Sequence, residues 1–362
     1  MAQPVDERIG QLVEEIRIAN DDYEDTIHAI IGFVNLYLLD DKTFQPRPQV
    51  KGFQGRHLSP LPTEEQTRGT GVEKYVSPDL GIVIEDSRGI LGEVKKNFPK
   101  EMERAQKEFV QLKGYDQNLT GWPTVSERVE SHEVVLLVHQ MTSAYAKEFY
   151  EEYLPQTGIV FERPFSIVEF GRQEQVQHYF FLKTVLGQPT EIGGEKKLKY
   201  GVPVPMRVLL HEYAKTLLYD ARPPLPYLAE LIWRHVCTPI ASENPKFEHL
   251  HKNQKIEVAL AIEDIVESLN EGFSFRFWHS QHPDRQPRIP RKEWVKQACQ
   301  FLVESGEAEW VEGSEETQII IFYQKYDDPV YHFALFYATL EEKKTAKPML
   351  PGFEPTETAD SY

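Results

Sequence analysis

Ser77-Pro-Asp-Leu-Gly-Ile-Val-Ile-Glu-Asp-Ser-Arg-Gly-Ile-Leu-Gly-Glu-Val-Lys95 is the stretch on which the reading of this chain turns. Residues 80–84 are apolar throughout, the pattern of a strand covered on both faces. Residues 90–95 make a second run after the turn residues Ser87-Arg88-Gly89, and residues 72–76 a first one before it. Three consecutive antiparallel strands are expected. On the last of them Glu93 and Lys95 stand two positions apart and share a face. Asp79 opens the middle strand, where an antiparallel turn brings it back alongside them. Two carboxylates converging beside an ammonium group suit a hydrolytic centre, because hard oxygens hold Mg²⁺ and the cation stabilises charge on a phosphoryl group under attack. Lys95 would then orient or deprotonate water. The competing reading is a plain Glu93–Lys95 ion pair, since Glu-x-Lys arises by chance in a charged chain.

Working outward, residues 20–39 predict a helix capped by Asn20, with Ile27, Ile31, Val34 and Leu38 on one face. Residues 42–73 are rich in Pro, Gly and Gln and read as loop with a short strand near Val50; loops of that length often cover a site. After Pro99, the positions Met102, Ala105, Phe109 and Leu112 recur at helical spacing to about Asn118, and a strand follows at 134–139. The order is helix, three strands, helix, strand: an α/β unit whose second helix carries the chain to a parallel fourth strand. Residues 159–172 and 175–186 read as a hairpin extending it. The Gly-Gly-Glu-Lys-Lys run at 193–197 suggests a linker, giving a first domain at 1–190, a linker at 191–205, a mostly helical domain at 206–342 and a disordered tail at 343–362. Within the later domain, residues 207–219, 226–236, 255–269 and 291–305 have helical patterns, and 308–311 with 317–323 form a hairpin candidate.

A chain of 362 residues favours two folded units, and 40% hydrophobic with 27% charged residues excludes a wholly disordered or fibrous protein. No apolar run spans a bilayer and the N-terminus lacks a leader pattern, so a cytoplasmic protein with no membrane partner is expected. Cys237 and Cys299 are 62 positions apart without nearby cysteines, which argues for ordinary burial. His249, His251, His279 and His282 lack the cysteine or helical spacing of a zinc set. A net charge of −17 excludes coating of nucleic acid by bulk electrostatics, so any such contact is local.

Pro78-Asp79, then fourteen positions to Glu93-Val94-Lys95, resembles the PD-(D/E)XK nuclease superfamily. Gln111-Leu-Lys-Gly-Tyr115 on the next helix is similar to the QxxxY motif of its RecB-like exonuclease branch. The resemblance covers residues 20–139. It implies a restriction-endonuclease-like core, an αβββαβ mixed sheet flanked by helices. It further implies Mg²⁺ or Mn²⁺ held by Asp79, Glu93, Val94 and Glu24, catalysis by Asp79, Glu93 and Lys95, and Gln111 and Tyr115 lining the substrate side. Glu24 continues the sheet-facing stripe of the first helix, although Asp21, Asp22 and Asp25 compete with it and helix-dipole compensation also accounts for it. The implied activity is phosphodiester hydrolysis of DNA, RNA not excluded, in repair, recombination or antiviral defence.

Helix, helix and two-stranded hairpin in the later half resemble a winged helix-turn-helix. Arg276, Arg285, Arg288, Arg291, Lys292 and Lys296 stand against only Asp284 and Glu293 between Phe273 and Gln300. Six glutamates in residues 302–316 would repel a duplex, so this half reads as a protein-docking unit as readily as a DNA reader. Lys96, Lys100, Arg104 and Lys107, beside the candidate metal site, are the other phosphate-contact candidates, alternating with glutamates as a solvated helix face also would. A protein partner subunit and a homo-oligomer are compatible with either reading.

Overall fold

The computed structural model describes residues 5–39, 47–54, 57–61, 75–172, 179–190, 197–205, 217–218, 221–248, 254–271 and 290–346. The chain is a mixed α/β protein that divides into two compact units. One comprises residues 21–223 and 262–295, the other residues 1–20, 224–261 and 296–362.

The larger unit is built on a seven-stranded mixed sheet with helices against it. Its elements are helix α1 (Val5–Leu38, from Asp21 onward), strands β1 (Val50–Phe53), β2 (Ser59–Pro60), β3 (Leu80–Ile84) and β4 (Arg88–Lys95), and helix α2 (Met102–Tyr115). Strands β5 (Leu119–Thr120) and β6 (Ser131–His139), helix α3 (Ser143–Glu148), and strands β7 (Phe165–Arg172), β8 (Tyr179–Leu186) and β9 (Val202–Pro205) follow. The sheet order is β1-β3-β4-β6-β7-β8-β9. β1, β3 and β4 run antiparallel, α2 crosses over, and β6 lies parallel to β4 and β7 parallel to β6. β3 is buried at every position, as its unbroken apolar run requires.

Several expectations are corrected. The first strand of the antiparallel trio is β1; of residues 72–76 only Tyr75 and Val76 are described, and Val76 makes a single bridge to Leu58. The β3–β4 turn is centred on Glu85 and Asp86, both left-handed at φ 53°, and Arg88 is already in the strand; Lys51 holds Asp86 at 2.8 Å. Asn20 caps nothing, because α1 begins at Val5 and carries it in its interior. Residues 191–205 are not simply a linker: a short helix, Lys197–Tyr200, leads into β9, which pairs with β8 and closes that side of the sheet. Met102, assigned to the core stripe of α2, is exposed, whereas Ala105, Phe109 and Leu112 are buried.

The smaller unit takes only residues 255–261 of the expected helix 255–269, which is not one helix. Ile256–Ala261 alternates buried and exposed residues and is a strand, and the helix Ile262–Glu271 begins only after it. That strand pairs with Gln318–Tyr323, which also pairs with Ala308–Trp310. Trp233 stacks on Tyr323 and Tyr326 in this unit's core, and Cys237 and Cys299 are buried there as free thiols. Residues 343–346 finish the helix Pro329–Ala346 instead of opening a disordered tail. That helix meets the beginning of the chain, through Ala334 and Ala338 on Val13 and an ion pair between Glu342 and Arg8. The expected helix at 207–219 lies almost entirely outside the described residues. Among the described residues no helix is long and apolar enough to cross a membrane.

Phe53 lies flat over the glycine opposite it on β3. A Cβ built on Gly81 would stand 2.1 Å from Phe53 Cζ, inside any tolerable contact. Gly81→Ala should therefore cost about 1–3 kcal/mol of overpacking. Urea unfolding followed by circular dichroism checks this, and unchanged stability would mean that Phe53 does not cover β3.

Candidate functional site

Asp79 stands one residue before β3. The last β3–β4 pair is Leu80 with Gly92, so the next step of the ladder sets Asp79 against Glu93. Its carboxylate does not point away: Asp79 Oδ2 accepts the Val94 amide N–H at 2.8 Å. The side chain is thus fixed to the strand that carries Glu93 and Lys95.

Glu93 is 3% exposed, a position at which a carboxylate needs several donors. It has them from two elements. From α2, Gln111 Nε2 donates to Oε1 at 2.7 Å and the Tyr115 hydroxyl donates to Oε2 at 2.6 Å. From its own strand, Lys95 Nζ lies 3.2 Å from Oε1. Glu108, one helical turn before Gln111, takes the other side of Lys95 at 2.8 Å. Burial alone would lower the Lys95 pKa, but Glu93 and Glu108 outweigh it and raise it, so the ammonium stays charged. Burial, reinforced by Glu93, pushes the Tyr115 phenol up, and it stays a donor.

Four of the expected residues, Glu93, Lys95, Gln111 and Tyr115, are therefore in contact, and Asp79 is set opposite Glu93 with its carboxylate held by the Val94 amide. Tyr115 departs from its expected surroundings, because its body is 1% exposed and belongs to the core while only its hydroxyl reaches Glu93. Val94 contributes its N–H to Asp79, and its side chain is buried. Glu24 is not gathered with them. Arg172 Nη2 binds it at 2.9 Å at the end of β7, two strands from β4 in the sheet order. Asp25 receives the Arg172 Nε at 2.8 Å and Lys96 at 2.7 Å, so Lys96 is committed to the carboxylates of α1. Among the described residues no three Asp, Glu, His or Cys side chains form a metal-holding group.

Of the other phosphate-contact candidates, Lys100 Nζ lies 4.6 Å over the Tyr145 ring, and Arg104 and Lys107 are exposed on α2. Lys292 is paired with Glu263, Arg291 stacks on Trp294 at 5.1 Å, and Lys296 is half-buried. Arg276, Arg285 and Arg288 lie outside the described residues, as do His249, His251, His279 and His282.

The sequence reading missed Glu108, although its spacing to Gln111 and Tyr115 on one helix face was a usable signal. It also missed His132. At the start of β6, His132 Nε2 lies 2.7 Å from the Tyr115 carbonyl, which can only accept, so this nitrogen carries the proton and anchors the end of α2. Gly114 supports the same contact: a Cβ there would come 3.3 Å from Val76, and the Tyr115 hydroxyl also reaches the Ser77 carbonyl at 3.2 Å. Unlike the spacing of Glu108, the contacts of His132 and Gly114 are not local in sequence.

No protein-family model, curated protein or solved structure matches this chain.

Burial, reinforced by the charge of Arg163, outweighs the backbone bond to Tyr115 and leaves His132 with a pKa lowered to about 4; burial also lowers His28 to about 4. Both are neutral when folded. Between pH 6.5 and 4 the unfolded chain binds protons that the folded chain does not, so this stability is complete above pH 6.5 and is lost as pH falls towards 4. Each histidine should contribute up to about 1.4 kcal/mol per pH unit within that window. Urea unfolding at pH 7 and pH 5 should show the loss, with a shallower dependence in His132→Phe; equal slopes would mean that His132 titrates normally.

Proposed function

We propose that this chain is a metal-dependent nuclease with a PD-(D/E)XK-like core, hydrolysing phosphodiester bonds of DNA. The observation that carries the reading is the convergence of Asp79, Glu93 and Lys95 on the β3–β4 ladder, with Gln111 and Tyr115 closing on Glu93 from α2. The order α1, β1-β3-β4, α2, β6 supports it, being the antiparallel trio and parallel fourth strand that such a core uses.

The donor set fits a hard divalent cation. Mg²⁺ is commonly held by one or two carboxylates while keeping several of its waters, and Asp79 and Glu93 supply two. Bound there, Mg²⁺ or Mn²⁺ would stabilise charge on the phosphoryl oxygens during attack by water. The chain's own residues have distinct tasks. The Val94 amide orients Asp79, while Gln111 and Tyr115 each donate to one oxygen of Glu93 and hold its carboxylate in place. Lys95, held between Glu93 and Glu108, would orient the attacking water as a donor. With a charge of −17, hold on the substrate is local, and Lys100 just before α2, with Arg104 and Lys107 exposed on it, are the candidates.

A second reading has its own support. Lys95 is already neutralised by Glu93 and Glu108, which is what a non-catalytic scaffold would need, and the winged-helix-like half would then dock a protein partner.

Purified protein should cut DNA only with Mg²⁺ or Mn²⁺. Lys95→Ala should keep its near-ultraviolet circular dichroism and lose about 10²–10³-fold in rate, the scale of removing one charge-stabilising donor. Calorimetric titration with Mn²⁺ should show binding that Asp79→Ala abolishes. Cutting at full rate by Lys95→Ala would remove the assigned role, and absence of Mn²⁺ binding by the wild type would favour the scaffold.

A further inference from the structure

The segment leading into the site runs Tyr75-Val-Ser-Pro-Asp79, bridged to Leu58 at Val76 as in a strand and bending at Asp79 before β3. Successive side chains along such a backbone alternate between faces. Val76 and Pro78 take the inner face: Val76 packs against the core and Pro78 is buried. Tyr75, Ser77 and Asp79 take the other. Four residues of chain span at most about 13 Å, so Tyr75 lies no farther than that from Asp79.

Tyr75 is not a core residue that has slipped outward. It is 61% exposed, yet its ring is not loose: it rests on the exposed imidazole of His57, with centroids 4.4 Å apart and planes inclined by 52°. His57 is fixed in turn, because its Nδ1 is hydrogen-bonded to the Ser77 hydroxyl. The two backbones are tied by reciprocal bonds between Leu58 and Val76 at 2.8 and 2.9 Å, and the neighbouring strand β2 is paired to β5. An exposed aromatic, backed by a second ring and locked to the same short segment that delivers Asp79, has a flat apolar surface for which His57 is the one ring partner among the described residues. Flat stacking surfaces are what unpaired bases bind, with little dependence on sequence.

We propose that Tyr75, supported by His57, is a stacking platform for an unpaired nucleobase of the strand that enters the Asp79–Glu93–Lys95 site, so that the substrate is single-stranded nucleic acid or a frayed end. The identity of this strand as substrate rests on the nuclease reading; the stacking itself does not. A paired base inside a duplex offers no free face to such a platform, whereas a splayed or terminal base does. The platform also compensates for the acidic surface, since stacking holds a strand without drawing on phosphate charge.

Fluorescence anisotropy of the full chain with a labelled oligothymidylate and with a blunt duplex, in Ca²⁺ so that binding is read apart from cutting, tests this. Tyr75→Ala should weaken the single strand about tenfold, the scale of losing one stacked base, while Tyr75→Trp restores it and duplex binding stays unchanged. His57→Ala should weaken it by less. Equal single-strand affinity in the wild type and Tyr75→Ala, parallel loss on both substrates, or no single-strand binding by the wild type would each overturn the platform. The two readings fail separately. Tyr75-dependent binding in a protein that never cuts with Mn²⁺ removes the nuclease and keeps the platform; cutting with Tyr75-independent binding removes the platform and keeps the nuclease.

Discussion

A carboxylate buried at the end of a sheet strand sets the conditions that the rest of the larger unit meets. Glu93 can remain ionised there only if its oxygens are matched by donors, since an isolated buried charge is too costly to keep. Lys95 comes from the same strand, but Gln111 and Tyr115 come from a helix that must cross the sheet at one height and one rotation. That placement is over-determined. His132 holds the last turn of α2 by its carbonyl, Gly114 admits Val76, and the buried Ala105, Phe109 and Leu112 clamp the helix to the core. The polar contacts then depend on apolar packing for their geometry, and the packing tolerates the charge only because of the contacts.

Consecutive lysines at the end of β4 serve opposite faces of the sheet, as the two-residue period of a strand demands. Lys95 turns to α2 and its glutamates, while Lys96 turns to Asp22 and Asp25 of α1, where Arg172 joins them. α1 and α2 are therefore each tied by charge to the same strand end. The acids of α1 neutralise Lys96 and Arg172 instead of joining Asp79 and Glu93, which is why Glu24 falls outside the site.

The smaller unit follows a different logic. Its three-stranded sheet and aromatic cluster are assembled from distant parts of the chain, with the beginning of α1 and the helix Pro329–Ala346 closed on each other through Arg8 and Glu342. Nothing in the first twenty residues announces a partner more than three hundred positions away. Long-range pairing of this kind depends on complementary apolar faces, which a single helix pattern does not identify.

Amino-acid order alone determined the α/β class, β3 and β4, the crossover helix and the parallel strand after it, each written in a local period: an unbroken apolar run, a two-residue step along a strand or a four-residue step along a helix. Asp79, Glu93, Lys95, Gln111 and Tyr115 were singled out by motif resemblance, and the fold brings the last four into contact. Tertiary structure decided the rest. β1 replaced residues 72–76 as partner of β3, 256–261 became a strand because alternation outweighed a helix-like composition, and β9 was drawn from a Gly-rich stretch into the sheet. Tyr115 was placed in the core, Glu108 and His132 were added to the site, and Glu24 was given to Arg172. The division has a physical cause: periodicity records which face a residue presents to its own element, whereas the partner that covers that face is chosen by packing between segments far apart in the chain.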